Sequence, residues 1–246
     1  AHAYEAALGY SKILNHGETM KLSNETISLL KNFAAINSQI VLNPGNVIKT
    51  MSESKTILSA ATIAEDIPSQ IGIYDLHEFL GAMSMFEDPE LTFDEAFKSV
   101  RISQDRRAIK YFFSEASILT SPQKDVVMPS TEIEFTLTQE VLASIRKAAS
   151  ALGINTVVVT GEADENTGKI VVTDVDDATS NSFEIELDGL KREEDAFRLV
   201  FNIGNFKFIN GDYDVAITKK LISHFKHTKD PVEYWVALEK NSTYGE

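Results

Sequence analysis

The chain repeats itself, and a repeat dictates a modular fold. Leu22-Ser23-x-x-x-Ile27-x-x-Leu30-Lys31 recurs as Leu137-Thr138-x-x-x-Leu142-x-x-Ile145-Arg146 at a constant offset of 115 residues. In each copy a Ser or Thr hydroxyl can accept an orphan backbone N–H, and an apolar period of about 3.6 residues follows, so each copy opens an amphipathic helix. A second pair, Asp75-Leu76-x-x-Phe79 and Asn202-Ile203-x-x-Phe206, is offset by 127, so the second copy carries about a dozen more residues. Each copy closes on an aromatic strand, Ile109 to Phe113 and then Glu233 to Leu238. Three pairs in one order indicate a duplicated domain.

Between the helical motifs the pattern is β. Val157 to Val159, Lys169 to Val172 and Phe183 to Leu187 are short β-branched or alternating runs, with Ile57 to Ala60 and Ile71 to Tyr74 as their counterparts in the first copy. Asp164-Glu165-Asn166-Thr167-Gly168 has the composition of a hairpin tip, with Gly168 as the residue suited to positive φ. The expected fold is α+β: two tandem domains, 20–116 and 132–246, each a sheet with two helices. Residues 117–131 hold two prolines and no helical period and read as a connector. Residues 1–19 read as an N-terminal extension, with Met20 as the natural initiator.

Composition narrows the function. The longest uncharged stretch, Asn32 to Ile48, is broken by polar residues and a proline, so no transmembrane helix is expected. No cysteine is present, which removes thiol catalysis, thiolate metal sites and disulfides. A formal charge of −14, spread along the chain, argues against indiscriminate nucleic-acid binding and leaves room for a local basic face.

Catalytic motifs are not apparent. His224-x-x-His227 has ligand-like spacing on a helix, but the acid a zinc protease requires is missing and Lys219, Lys220, Lys226 and Lys229 surround the pair; it reads as solvated surface. Asp164-x-Asn166-x-Gly168 departs from a calcium loop at its glycine and at its twelfth position, Val175, and together with Asp174, Asp176 and Asp177 reads as a charged loop. No cofactor or metal is expected. The repeat helices carry Glu25, Glu140, Lys31, Arg146 and Lys147, a net +1 in an acidic chain. Acids early and bases later are what the helix macrodipole favours on any exposed helix, and on the residues alone that account stands ahead of its alternative, a DNA-facing surface.

Taken together, these stretches resemble the sliding clamps (DNA polymerase processivity factors) of T4-type bacteriophages. The resemblance is carried by Met20-Lys21-Leu22-Ser23, Leu29 to Ser38, Ile73-Tyr74-Asp75-Leu76-x-x-Phe79-Leu80-Gly81, Phe201-Asn202-Ile203-x-Asn205-x-Lys207 and Val236-Ala237-Leu238-Glu239-x-x-Ser242-Thr243, and spans residues 20–246. It implies a clamp fold in a closed homotrimeric ring of six similar domains, helices lining the hole and sheets outside. Duplex DNA would be held topologically and without sequence readout, by a protein that is not an enzyme. By position the hole-facing bases would be Lys31, Arg146, Lys147 and Lys207, with Lys21 a weaker candidate; Ser150 stands where related clamps tend to carry another base, and Glu78 adds an acid. The resemblance further implies a phage DNA polymerase, an ATP-dependent clamp loader, late-transcription factors and the cytoplasm of the infected bacterial host. A partner's hydrophobic peptide would dock at Val126, Val127, Met128 and Pro129, with Leu238. Subunits would join along Ile109, Tyr111 and Phe113 of one copy and Phe183, Ile185 and Leu187 of the next. A non-catalytic phage structural protein, or a hydrolase using His224 and His227, are the competing readings.

Overall fold

The computed structural model of the chain describes residues 18–245, in two compact units. The first gathers residues up to Thr50 with Thr62–Ser121, the second Met51–Ala61 with Pro122 onward. Residues 1–17 and 246 lie outside the described residues. The expected extension does not run to residue 19: Glu18 accepts the Phe93 N–H at 2.9 Å and Thr19 pairs with Thr92, so the first unit's sheet begins ahead of Met20.

The first half of the chain runs β1 (Thr19–Met20), α1 (Asn24–Ile36), β2 (Ile40–Leu42), β3 (Gly45–Met51), β4 (Ile57–Ile67), β5 (Ile71–Ile73), α2 (Leu76–Met83), β6 (Glu90–Phe93), β7 (Ser99–Gln104) and β8 (Arg107–Phe112), and all but Met51–Ala61 of it belongs to the first unit. Its four-stranded sheet has the order β1-β6-β7-β8, and β2 pairs with β5. α1 starts where its sequence dictates. Ser23 Oγ accepts the Thr26 N–H at 3.1 Å, and Glu65 on β4 closes the cap by accepting from the Ser23 N–H at 2.9 Å and the Thr26 hydroxyl at 2.6 Å. Phe33, Ala34 and Leu30 on α1 and Leu76 and Phe79 on α2 are buried, and the two helices pack on one another.

The Glu65 cap has a pH signature. Burial pushes its carboxyl up, but the hydrogen bonds from Thr26 and Ser23 outweigh this and hold it below the usual range. A depressed folded-state pKa gives stability that is present above the ordinary glutamate value and is lost as pH falls through the folded one. Glu65→Gln is therefore expected to lower the urea midpoint at pH 7, followed by circular dichroism, and to converge with the parent chain in acid. Equal midpoints at pH 7 would remove Glu65 from the cap.

The second unit runs β9 (Ile133–Leu137), α3 (Gln139–Leu152), β10 (Thr156–Gly161), β11 (Lys169–Thr173), β12 (Ser182–Glu186), β13 (Lys191–Arg192), β14 (Phe197–Asn202), β15 (Tyr213–Thr218), β16 (Ile222–His227), β17 (Val232–Ala237) and β18 (Thr243–Tyr244). One sheet has the order β12-β11-β10-β14-β18; in the other, β13-β9-β15-β16-β17 is extended by Ile57 to Ala61 of β4, paired antiparallel to β17. That pairing places Met51–Ala61 with the second unit, where the sequence boundaries had assigned it to the first.

The expectation of two helices per domain fails in the second copy. After β14 the chain makes a single 3-10 turn, Ile203–Asn205, and continues without helix to β15. The reason is a switch of period. Phe206 and Phe208 are buried while Lys207 between them is exposed, an alternation that only an extended chain satisfies. Both rings enter an aromatic core, with Phe208 at 4.7 Å from Phe225 and 4.8 Å from Tyr234 between centroids. The hairpin after β10 carries a smaller correction: Asp164, with φ 61, is the left-handed residue. Gly168 is required for space instead, since a Cβ there would lie 2.5 Å from Leu190 Cδ2 and 3.1 Å from the Thr160 carbonyl oxygen.

Candidate nucleic-acid interface

Each long helix turns one narrow polar stripe to solvent. On α1 the exposed residues Asn24, Ser28, Lys31 and Ala35 follow i, i+4, i+7, i+11, and on α3 Glu140, Ala143, Lys147 and Ser150 follow i, i+3, i+7, i+10. Either stripe has a base at its middle and small side chains around it, so a phosphate can approach the helix surface. The acids Glu25 and Glu140 sit in the first turns, next to the positive ends of the helix dipoles. Lys31 and Lys147 are thus solvent-facing cations on corresponding helices.

Arg146 is placed differently. It is the repeat counterpart of Lys31, yet it is half-buried and its Nη2 donates to the Phe206 carbonyl at 2.7 Å and the Phe208 carbonyl at 3.3 Å. Those carbonyls have no helix to serve them, because the second copy does not form one. Burial lowers the guanidinium pKa from its ordinary value, opposed by the Tyr213 and Tyr234 phenols. The sequence placed Arg146 among the DNA-facing bases; the structure uses its charge inside the unit. Lys207 lies between the two residues whose carbonyls accept in this clasp, and it is exposed. Lys21 forms an ion pair with Asp88 at 2.7 Å, which raises its pKa and cancels most of its field.

The face of α2 is acidic where a neutral one was easier to explain. His77, Glu78 and Gly81 are exposed, and the Tyr111 hydroxyl donates to the Asp75 carbonyl at 3.3 Å. Burial, then Glu78 and Asp75, push that phenol up to about 12.

At the connector, Val127 is 79% exposed, Pro129 is exposed, and Val126 and Met128 are half-buried. Leu238 is buried, and its N–H donates to the Leu221 carbonyl at 3.0 Å, so it belongs to the core and presents no docking surface. Ile118, 72% exposed at the end of a 3-10 turn (Ala116–Ile118), is an apolar residue that the sequence reading passed over. Both strands expected at subunit contacts are sheet edges: β8 is bonded only to β7 and β12 only to β11. Ile109, Tyr111, Phe113, Phe183, Ile185 and Leu187 are half-buried, and it is their neighbours in the alternation, Lys110, Phe112, Glu184 and Glu186, that are exposed.

The two histidines lie on a strand, not a helix, and are not solvated surface. Spaced by three on β16, they point to opposite faces and cannot share a metal. His224 Nε2 is 3.0 Å from Glu233 Oε2, and its ring stacks on Trp235. His227 is buried; its Nδ1 accepts the N–H of Lys229 and of Asp230, which leaves Nε2 as the donor to the Asn210 carbonyl at 2.9 Å. Among the described residues no group of three or more His, Asp or Glu is placed to hold a metal. The acids Asp174 and Asp177 accept from nearby backbone N–H groups within their own loop. Sequence reasoning also missed Arg192, whose guanidinium lies over the Phe197 ring at 4.7 Å and donates to the carbonyls of Thr167, Glu162, Asp195 and Glu193. Only the fold brings those acceptors together.

Known proteins match this chain in sequence and in fold. A family model described as DNA polymerase processivity factor matches residues 22–118, and one described as gp45 sliding clamp, C terminal, matches residues 134–240. The sliding clamp of Vibrio phage KVP40 is 31% identical over 89% of this chain and 99% of its own length. That of Enterobacteria phage T4 is 30% identical over 92% and 99%. Among solved structures, Proliferating Cellular Nuclear Antigen from Entamoeba histolytica has a TM-score of 0.64 at 12% identity, over 90% of this chain and 98% of that one. The Helicobacter pylori beta clamp has a TM-score of 0.67 at 14% identity, over 91% and 64%. At those identities the likeness to the solved structures is one of fold.

Proposed function

The chain belongs to the sliding-clamp family of T4-type phages, and from that premise we propose that three copies close into a ring around duplex DNA and tether the phage DNA polymerase. The observation that carries this reading is the pair of corresponding helices, each with a polar stripe centred on one free-standing base, Lys31 or Lys147, in a chain of net charge −14. Two isolated bases per copy attract phosphates without reading sequence, while the acidic remainder repels DNA. Weak contacts suit a protein that must slide, because retention by encirclement needs no tight grip.

The same reading assigns an ATP-dependent clamp loader and late-transcription factors as further partners, and the cytoplasm of the infected bacterial host as the location. No described helix is long and apolar enough to cross a membrane. Val127, with Val126, Met128 and Pro129, is the apolar surface for a partner's hydrophobic peptide. The chain contributes binding alone, and no catalytic step is assigned to it.

Scattering over a concentration series should give a hollow particle of about three times the 27.3 kDa chain mass. The substitutions Lys31→Glu and Lys147→Glu together should leave that particle intact and cut processive synthesis by about tenfold at moderate salt. Unchanged processivity at both low and moderate salt would take these lysines off the DNA path. A compact monomer at every concentration would overturn the ring.

A further inference from the structure

Asn210-Gly211 is the chain's single Asn-Gly step, and nothing in the ring reading uses it. In such a step no side chain shields the glycine nitrogen, so it can attack the amide carbon of the asparagine before it. Asn210 is exposed, and among the described residues its side chain makes no hydrogen bond. The backbone around it is held throughout. The Ile209 N–H donates to the Tyr234 hydroxyl at 3.2 Å, and the Ile209 carbonyl accepts from the Tyr213 hydroxyl at 2.6 Å. The Asn210 carbonyl accepts from His227 Nε2 at 2.9 Å. The Gly211 N–H donates to the Gln139 side-chain oxygen at 2.7 Å, and the Gln139 N–H donates back to Asp212 Oδ1 at 2.7 Å.

Two of these bonds act on one peptide group in opposite senses. A donor on the Asn210 carbonyl draws electron density out of the peptide and eases loss of the Gly211 proton. An acceptor on the Gly211 N–H keeps that proton in place, and the nitrogen is a nucleophile only without it. The acceptor belongs to Gln139, the first residue of α3. A helix end is the part of a helix that opens most readily, so this acceptor is released whenever the first turn frays.

We propose that Asn210-Gly211 is a self-modification site, an asparagine primed for deamidation and latched by the Gln139 amide. When the latch opens, the Gly211 nitrogen gives its proton to solvent and bonds to Asn210 Cγ. The bond from Cγ to the side-chain nitrogen breaks, and that nitrogen leaves as ammonia with a proton from water. The cyclic imide then takes up water and opens to an aspartyl or an isoaspartyl residue. The isoaspartyl product carries an extra methylene in the main chain, between anchors that the His227 and Gln139 bonds fix on either side. Modification therefore undoes the loop that ties α3 to β15, and its rate reports how often the start of the helix that carries Lys147 comes open.

The test follows deamidation of the full chain in mildly alkaline buffer, by mass spectrometry of the proteolytic fragment that holds Asn210. The folded parent is expected to react at least about tenfold more slowly than the same chain in guanidinium chloride. Gln139→Ala should remove most of that protection, by about tenfold, while Gln139→Glu, which keeps an acceptor oxygen, should stay slow. Val236→Ala lowers the stability of the same unit through a fully buried side chain that makes none of these bonds, and should leave the rate near the parent's. A folded parent as fast as the unfolded chain would overturn the latch. So would a Gln139→Ala variant as slow as the parent, or a Gln139→Glu variant as fast as Gln139→Ala. Equal acceleration by Val236→Ala and Gln139→Ala would show that global unfolding exposes the site and would overturn the assignment to Gln139.

Discussion

Replacing Arg146 with methionine is expected to destabilise the second unit by about 2–3 kcal/mol, although the residue sits on a helix flank where the repeat predicts a replaceable surface base. Methionine keeps most of the apolar stem and the helix propensity, so the loss isolates the guanidinium. Its Nη2 serves both the Phe206 and Phe208 carbonyls, and hydrogen bonds to charged groups are worth about 1.5–3 kcal/mol. Removing the donor also leaves carbonyls without the intrahelical partners that a second helix would have supplied. Trp235, the only tryptophan, lies on β17 of the same unit and gives a fluorescence readout for urea unfolding. The adjacent Lys147→Met is expected to change stability by less than about 0.5 kcal/mol, as an exposed substitution. Equal effects at the two positions would mean that the clasp contributes nothing. The contrast matters for function, because a loss of processivity in an Arg146 variant would report unfolding as well as DNA contact.

Gly211→Ala is expected to cost more, about 3–4 kcal/mol. Its φ of 145 lies where side chains are strained, and the new Cβ would overlap the imidazole of His227. The ring has nowhere to go. His227 Nδ1 is fixed by the N–H groups of Lys229 and Asp230 at 3.1 and 2.8 Å, and Nε2 by the Asn210 carbonyl. The strain and the overlap separate in a double-mutant cycle: Gly211→Ala on a His227→Ala background should cost only the backbone part, about 1–2 kcal/mol. A cost below about 1 kcal/mol in the parent would show that the loop before β15 relocates freely.

The repeat and the two helix starts were readable because caps and apolar period are local properties. Ser23 and Thr138 each accept from the N–H three residues on, at 3.1 and 3.2 Å, as their spacing predicted. The second helix of the second copy was misread because Asn202-Ile203-x-x-Phe206 satisfies a helical spacing over five residues and then stops. Phe208, two residues later, belongs to an extended period, and a short window cannot arbitrate between the two. Arg146 went wrong for the same reason at one remove, since its carbonyl partners exist only because that helix does not. His224 and His227 were assigned to a helix by their spacing, while the alternation of β16 places one on each face. The stripes of α1 and α3 were legible, including Lys147 standing apart from Arg146. The exposure of Lys110 and Phe112 was not, because nothing in sequence tells an edge strand from a central one.

Ile57 to Ala61 pairs with β17, and 174 positions separate Ser59 from Glu233, whose carbonyl its hydroxyl bonds. During synthesis at about 5–20 residues per second, this strand emerges on the order of 10 s or more before its partner exists. For that interval Ile57-Leu58-Ser59-Ala60-Ala61 is a nascent, uncharged strand segment without the partner that pairs its backbone. A ribosome that stalls before residue 232 releases a chain whose early strand can never be matched. Translation through β17 is thus part of folding the beginning of the chain, and a truncated product is the form most exposed to chaperones and aggregation.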